Sequence, residues 1–163
     1  MQPLQLYHFS HNCDLKQWKT VNDSVMGGIS TSSIVTNAEG KGVFTGTVSL
    51  ENSGGFCAVK HTFNTVQVQN LKAFALLLKG DGKPYQFRVK NKVSDAHSYV
   101  FAFETTTNWQ TVLIPFHALQ ATFRGQKLNL PAFDGAQLEE IMFLVSNKIS
   151  ETFTLIIDQI DAE

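Results

Sequence analysis

Strict alternation of apolar and polar residues along short segments is the feature that most constrains how this chain can fold. In VFTGTVSL (43–50), Phe44, Val48 and Leu50 alternate with residues that carry hydroxyl groups. A period of two places alternate side chains on opposite faces of a β-strand, so the segment is predicted to be a strand with one buried face. The same alternation predicts strands in KPYQFRVKN (83–91), SYVFAFET (98–105) and FTLIIDQI (153–160).

Short apolar runs bounded by Gly, Asn, Asp or Pro predict further strands. These runs are GFCAVKHTF (55–63), KAFALLLKG (72–80), WQTVLIPF (109–116) and EEIMFLVS (139–146). Helical signals are limited to short starts at 13–18, 116–120 and 136–140. Many short strands without an alternating helix predict an all-β protein, an antiparallel β-sandwich or barrel. With no internal repeat, low-complexity tract or linker, one domain is expected over residues 1–163.

Composition excludes several classes of protein. A net charge of -1 gives no general positive field for binding nucleic acid. No run approaches 18 apolar residues, so no membrane span is predicted, and the N-terminus has neither a secretory signal nor a transit peptide, which predicts a cytoplasmic protein. Cys13 and Cys57 have no CxxC spacing and are expected to be free thiols.

No motif in the chain nominates a catalytic residue, a metal site or a cofactor. The histidines form no HExxH, no GxSxG elbow is present, and GDGK (80–83) lacks the first glycine and the Ser or Thr of a phosphate-binding loop. We interpret GDGK as a hairpin turn in which Asp81 and Gly82 tolerate positive φ. One alternative stays open, an acid pair of a hydrolase that is assembled only in three dimensions.

The stretch VNDSVMGGIS (21–30) supports two compatible hypotheses. In the first, the polar side chains bond their own loop, the glycines supply positive φ or close backbone approach, and Met26 fills a gap in the core. In the second, the loop lies at one rim of the sandwich and presents Met26 to a partner protein. The predicted partner-binding residues are Asp23, Ser24, Met26, Gly27 and Gly28.

The polar face of the sheet is a second candidate surface. Alternation in YQFRVKN places Arg88 and Lys90 on one side of their strand, and Lys60 is expected nearby. With Tyr99 or Trp109 beside them, these cations would suit a sugar or an anionic peptide. The competing interpretation is a solvated face, with both tryptophans partly buried in the core.

The order of several motifs identifies a resemblance. The segments WKTVNDSVMGGIS, FTGTVSLENSGGF, LLLKGDGKPYQFRV, WQTVLIPF, FRG and FTLIIDQI together resemble the complex I intermediate-associated protein 30 family over nearly the whole chain. An internal ion pair from Arg124 to Asp23 or Asp158 is also hypothesised. Related jelly rolls often contribute a carboxylate to a structural calcium at the position of Asp158, so the resemblance leaves a calcium site there open. The residues of these motifs that are expected to be structural are Trp18, Asn22, Gly55, Gly80, Asp81, Gly82, Arg124, Gly125 and Asp158.

The resemblance implies a jelly-roll sandwich of the galactose-binding-like type and a non-catalytic role. In eukaryotes the family helps to assemble respiratory complex I in mitochondria, as a factor that holds intermediates and is absent from the finished enzyme. Without a transit peptide, this chain resembles a compact bacterial-type member. The expected partner is therefore a protein, and the alternative is a carbohydrate-binding module of the same fold.

Overall fold

The structure is a computed structural model that describes residues 3–163, apart from the side chains of Val25 and Met26. Within that range the chain forms β-strands joined by turns and short 3-10 helices, the latter at Asp23–Met26, Glu51–Ser53 and Phe116–Ala118. The strands are β1 (Leu4–His8), β2 (Trp18–Asn22), β3 (Thr31–Thr36), β4 (Gly42–Val48), β5 (Cys57–Val66), β6 (Ala73–Lys79), β7 (Tyr85–Lys90), β8 (Ser98–Phe103), β9 (Trp109–Pro115), β10 (Gln120–Phe123), β11 (Gln126–Lys127), β12 (Leu138–Val145) and β13 (Glu151–Ala162).

The strands of residues 3–163 form two sheets that face each other. The six-stranded sheet has the order β3-β4-β13-β6-β9, with β1 also paired to β13. The seven-stranded sheet has the order β11-β10-β8-β7-β12-β5-β2. Neighbouring strands run antiparallel. The predicted fold class, an antiparallel sandwich of the jelly-roll type, is confirmed. None of the helices in this range is long and apolar enough to cross a membrane.

Phenylalanine fills the space between the sheets. Phe44 and Phe74 of the six-stranded sheet and Phe87 and Phe143 of the seven-stranded sheet are fully buried. The rings of Phe74 and Phe87 meet edge to face across the core, with their centroids 5.3 Å apart. Each such ring removes a large apolar area from water, which is the main stabilising term in a sandwich of this kind. The alternation that predicted β4, β7, β8 and β13 therefore marks which face of each strand is buried.

The prediction that GDGK forms a hairpin turn is wrong, because β6 and β7 belong to different sheets. The segment is a turn that carries the chain from one sheet to the other. The carboxylate of Asp81 accepts hydrogen bonds from the Tyr85 hydroxyl at 3.0 Å and from the Thr154 amide of β13 at 2.8 Å. Gly82 has a φ of 85°, as predicted for that position. Gly80 lies against Thr105, so closely that a β-carbon would collide with that side chain.

Arg124 and Gly125 form the turn of a real hairpin. They connect β10 and β11, in which Phe123 pairs with Gln126. Both turn residues have positive φ, 50° for Arg124 and 77° for Gly125. Two consecutive residues of positive φ suit a two-residue turn whose twist matches that of the flanking strands.

The predicted helix start at 136–140 is wrong, because β12 begins at Leu138.

Candidate functional site

The loop after β2 is fastened by a buried carboxylate. Asp23 is 1% exposed and accepts hydrogen bonds from the amide and the hydroxyl of Ser30, at 3.0 and 2.5 Å. It also accepts one from the amide of Gly55 at 2.6 Å and one from the amide of Phe56 at 3.3 Å. The same carboxylate therefore closes its own loop and joins it to the segment that leads into β5.

Hydrogen bonding keeps this carboxylate ionised despite its burial. Burial alone would raise the pKa of Asp23, but the donors from Ser30, Gly55 and Phe56 outweigh it and hold the pKa below the usual value for an aspartate. The hydroxyl of Ser30 in turn accepts a hydrogen bond from the amide of Ser49 at 2.9 Å. The charge of Asp23 is thus balanced by polar neutral groups, and the result is a rigid link between two loops.

Two glycines of the stretch play different structural parts. Gly27 has a φ of 88°, a conformation that favours glycine. A β-carbon at Gly28 would collide with the carboxylate of Asp23, so Gly28 provides the close approach. Asn22 completes the arrangement by accepting a hydrogen bond from the hydroxyl of Ser32 at 2.6 Å. The first hypothesis for the stretch predicted the positive φ or close approach of the two glycines, whereas the hydrogen bond from Ser32 to Asn22 was not predicted.

The structure corrects part of the predicted partner-binding set. Asp23 and Gly28 are buried and cannot present a surface, because they form the internal support of the loop. Ser24 and Gly27 are exposed at the rim. The side chain of Met26 lies outside the described residues, so its predicted contact with a partner stays a prediction.

The outer face of the seven-stranded sheet brings together the predicted cations. Val59, Phe87 and Phe143 point into the core, so their strand neighbours Lys60, Arg88 and Met142 lie on the opposite face. The strand register aligns these neighbours in one row across the sheet. The row runs through Lys19, Lys60, Met142, Arg88, Val100 and Gln120. We call this line of side chains the basic row.

Arg88 lies at the centre of the sheet with no acidic partner. Its Nε and Nη2 donate hydrogen bonds to Oε1 of Gln86, at 3.0 and 2.8 Å. Within residues 3–163, no carboxylate oxygen lies within 4.0 Å of its guanidinium. Partial burial of the guanidinium weakens the solvation of its charged form and so lowers the pKa of Arg88.

A groove borders the basic row on one side. It has a volume of about 520 Å³ and is lined by Lys60, Lys90, Thr62 and Glu140 among others. The ammonium of Lys60 lies 3.7 Å from Oε1 of the buried Glu140. The ammonium of Lys90 donates a hydrogen bond to the carbonyl of Asp95 at 2.7 Å. The groove is shallow, and its lining includes two lysines and two glutamates, Glu139 and Glu140.

The structure does not bring the two predicted aromatic residues to this face. Tyr99 is buried on the inner side of the sheet, where its strand partner is the buried Val89. Trp109 lies on the outer side of the other sheet and is 41% exposed, so the prediction that it is a core residue is wrong. Trp18 is buried, as predicted. Its ring packs 4.9 Å from that of His61.

Asp158 does not fit a structural calcium. The ammonium of Lys41 lies 3.0 Å from its Oδ2, and Nε2 of His8 lies 3.2 Å from its Oδ1. The carboxylate of Asp158 is thus already paired with a side-chain cation, and calcium requires six to eight oxygen ligands. Within residues 3–163, no group of three or more His, Cys, Asp or Glu could hold a metal ion. We therefore assign no metal-dependent role to Asp158.

The hypothesised ion pair from Arg124 is not found. Asp23 receives neutral donors, Asp158 pairs with Lys41, and the guanidinium of Arg124 lies 5.2 Å from the ring of Phe123. Arg124 is exposed because it forms the tip of the β10–β11 hairpin. Its role is therefore that of a turn residue.

Several residues of the site escape prediction from the sequence. Lys19 and Met142 join the basic row only through pairings with strands distant in sequence. Ser30 binds Asp23 across seven positions, at a spacing typical of no common loop motif. Alternation in EEIMFLVS does place the side chain of Met142 on the other face of the strand from Ile141 and Phe143. This is the one sequence signal that could have predicted that Met142 lies on the outer face.

Comparison with solved structures defines the class of the fold. The family 11 carbohydrate-binding module of a cellulosomal cellulase of Clostridium thermocellum superimposes with a TM-score of 0.74 and 18% identity, over 99% of this chain and 94% of that one. The same kind of module in complex with a β-1,3-1,4-mixed-linked tetrasaccharide gives 0.72 and 18%, over 98% and 94%. An agarase, AgWH50C, gives 0.66 and 9%, over 100% of this chain and 25% of that one. The protein thus has the jelly-roll sandwich fold that these carbohydrate-binding modules share.

The family itself is shown by sequence. The model of the complex I intermediate-associated protein 30 family matches residues 7–157, so the chain belongs to that family. A search of curated proteins gives no match. The match includes the carboxylate-fastened loop, the segment that it binds and most of β13. The resemblance identified from the motifs is therefore confirmed.

Proposed function

We propose that the protein is a non-catalytic interaction module that assists the assembly of respiratory complex I or of another membrane complex. The observation that carries this proposal is the family match over residues 7–157. The open faces of the sandwich add support, because a shallow groove lined by charged residues of both signs suits a protein surface better than a small substrate. The cytoplasmic location predicted from the sequence belongs to the same proposal.

The second candidate is a carbohydrate-binding module, favoured by the fold likeness to the family 11 modules. Sugar recognition on a sheet usually depends on exposed rings that stack against the apolar faces of the sugar. The paired positions of the basic row carry no ring among the described residues, and Trp109 is on the other sheet. The proposed role in assembly is therefore preferred.

Mild cross-linking in the protein's own cells tests the proposal. The tagged chain is captured, its partners are identified by mass spectrometry, and an unrelated β-sandwich of similar size serves as the control bait. We expect subunits of a membrane complex to be enriched with this chain only. Equal recovery with both baits would contradict the proposal.

A glycan-binding screen on the same protein preparation distinguishes the second candidate function, carbohydrate binding, from the proposed role in assembly. Mixed-linked β-glucan and agarose oligosaccharides are the sugars suggested by the solved structures. Binding of either sugar by the pure chain, together with no specific protein in the capture, would favour a carbohydrate-binding module instead.

A further inference from the structure

We propose that the basic row on the seven-stranded sheet binds an acidic peptide segment of the partner protein. This inference rests on the proposed function and adds the surface and the chemistry of recognition. Nothing in the family match or in the fold likeness assigns a ligand to this face.

The first argument is charge. The outer face of the seven-stranded sheet carries several cations and one carboxylate at its paired positions, although the whole chain has a net charge of -1. Glu140 is that carboxylate, and it is the cross-strand partner of Lys90. Within residues 3–163, Lys60 is the one cation of this face whose charged group lies within 4.0 Å of a carboxylate oxygen. Glu139, at the end of β12, is occupied by Thr65 and by the amide of Val93. The cations of this face are Lys19, Lys60, Arg88, Lys90 and Lys127.

The second argument is the state of Arg88. A partly buried guanidinium that lacks a counter-charge is costly, and an incoming carboxylate would offset that cost. Gln86 engages Nε and Nη2, which orients the planar group and leaves Nη1 available for an acceptor. A carboxylate is the acceptor that best matches a guanidinium.

The third argument is size and shape. From β2 to β7 the row crosses neighbouring strands over about 14 Å, since strands lie about 4.8 Å apart. An extended peptide of about four or five residues spans that distance. Met142 lies between Lys60 and Arg88 in the row. A flexible apolar side chain at this place allows aliphatic parts of the peptide to pack between the charged contacts.

Fluorescence anisotropy with a labelled hexaglutamate peptide tests this inference. The matched probes are hexaglutamine, which removes the charge, and a labelled hexamer of galacturonic acid, which offers carboxylates on a sugar. We expect hexaglutamate to bind at low salt, to weaken steeply as salt is raised, and to bind at least tenfold more tightly than hexaglutamine.

Variants locate the binding on the face. In the double variant Lys19→Gln, Arg88→Gln we expect affinity for hexaglutamate to fall at least tenfold. The control Lys72→Gln, Lys79→Gln removes the same charge next to and within β6 of the other sheet, and we expect a change of less than twofold. Lys19→Gln alone changes an exposed residue and keeps the test valid if the Arg88 variant unfolds. We expect it to weaken binding at least threefold.

The contradicting outcomes are distinct. Unchanged binding in Lys19→Gln and in the double variant, or equal binding of hexaglutamine, would overturn the inference. A tenfold preference for the galacturonic acid hexamer would assign the face to acidic sugars and would also overturn it. Cellular capture that survives the double variant would overturn the inference but keep the proposed function. Absence of captured protein, with peptide binding intact, would count against the proposed function alone.

Discussion

The carboxylate of Asp23 and the backbone amide of Gly55 lie 2.6 Å apart, although 32 residues separate them in the chain. This hydrogen bond joins the two most distinctive motifs of the sequence, VNDSVMGG and SLENSGGF. The family motif is therefore an internal fastening of two loops. Its residues hold the rim of the sandwich in place, and only Ser24 and Gly27 of the predicted binding set are shown at the surface.

Replacing the carboxylate is expected to destabilise the protein. Asp23→Asn turns an acceptor of several hydrogen bonds into a group that presents an NH2 to buried donors, and we expect a loss of about 2–4 kcal/mol in the free energy of unfolding. Urea denaturation measures this loss. Glu104→Gln makes the same chemical change at an exposed site, with an expected effect below about 0.5 kcal/mol. Equal stability of the two variants would contradict the fastening role.

The close approach of Gly28 to Asp23 predicts a coupling between the two positions. Gly28→Ala alone is expected to destabilise by more than about 1 kcal/mol, because the new β-carbon collides with the carboxylate. In an Asp23→Ala background that collision disappears, so the same substitution should cost much less. A double-mutant cycle by urea denaturation measures the coupling, and strictly additive losses would show that the two residues do not interact.

Below about pH 4, the free energy of unfolding is expected to depend on the protonation of Asp23. The pKa of this carboxylate is lower in the folded state than in the unfolded chain, so the unfolded chain takes up the proton first as the pH falls. The stabilisation is complete above the unfolded pKa of about 3.9 and is lost as the pH falls through the folded pKa. Asp23→Asn should have a shallower pH dependence below pH 4. An unchanged slope in urea titrations over this range would contradict the prediction.

Burial of His61 predicts a second pH dependence at milder pH. Burial lowers the pKa of His61 to about 4, whereas the unfolded value is about 6.5. The unfolded state therefore binds more protons between these values, and stability falls as the pH drops from 6.5 towards 4, by about 3 kcal/mol in all. His61→Phe, at a position ringed by Tyr7, Trp18 and Phe63, should flatten this part of the curve. The same slope in both proteins would exclude His61 as its source.

The contact between Lys41 and Asp158 predicts that calcium leaves stability unchanged. An ion that binds only the folded state raises the melting temperature with its concentration. Because the ammonium of Lys41 lies beside Asp158, we expect the same melting temperature in excess chelator and in millimolar calcium. A rise with calcium that Asp158→Asn abolishes would show that the aspartate does bind the ion.

The alternation of apolar and polar residues was sufficient to predict the strands that bury one face. It was insufficient to predict which strands pair with each other. Alternation predicted β4 and β7 because their inner residues meet the opposite sheet. The edge strand β2 was missed since Lys19 and Thr20 are both exposed and no alternation shows. The GDGK turn was taken for a hairpin because the sequence of two neighbouring strands does not state which sheet each one joins.

The residues of the candidate site likewise divide into those that the sequence pattern could predict and those that it could not. Arg88 and Lys90 are two positions apart in one strand, so their side chains lie on the same face. This prediction needed no tertiary information. That Lys19, Lys60 and Arg88 form one row depends on the register of four strands, which hydrophobic pattern alone cannot fix. The exposure of Trp109 was likewise missed, because its strand lies at the edge of the six-stranded sheet.

The most direct test of the proposed function is the assembly of membrane complexes in cells that lack this chain. Membranes from deleted and restored cells are compared on native gels, with NADH:ubiquinone oxidoreductase activity measured in parallel. The proposal predicts partial complexes and reduced activity in the deleted cells, both corrected by the wild-type chain. Normal assembly and activity of the membrane complexes without the chain would contradict it.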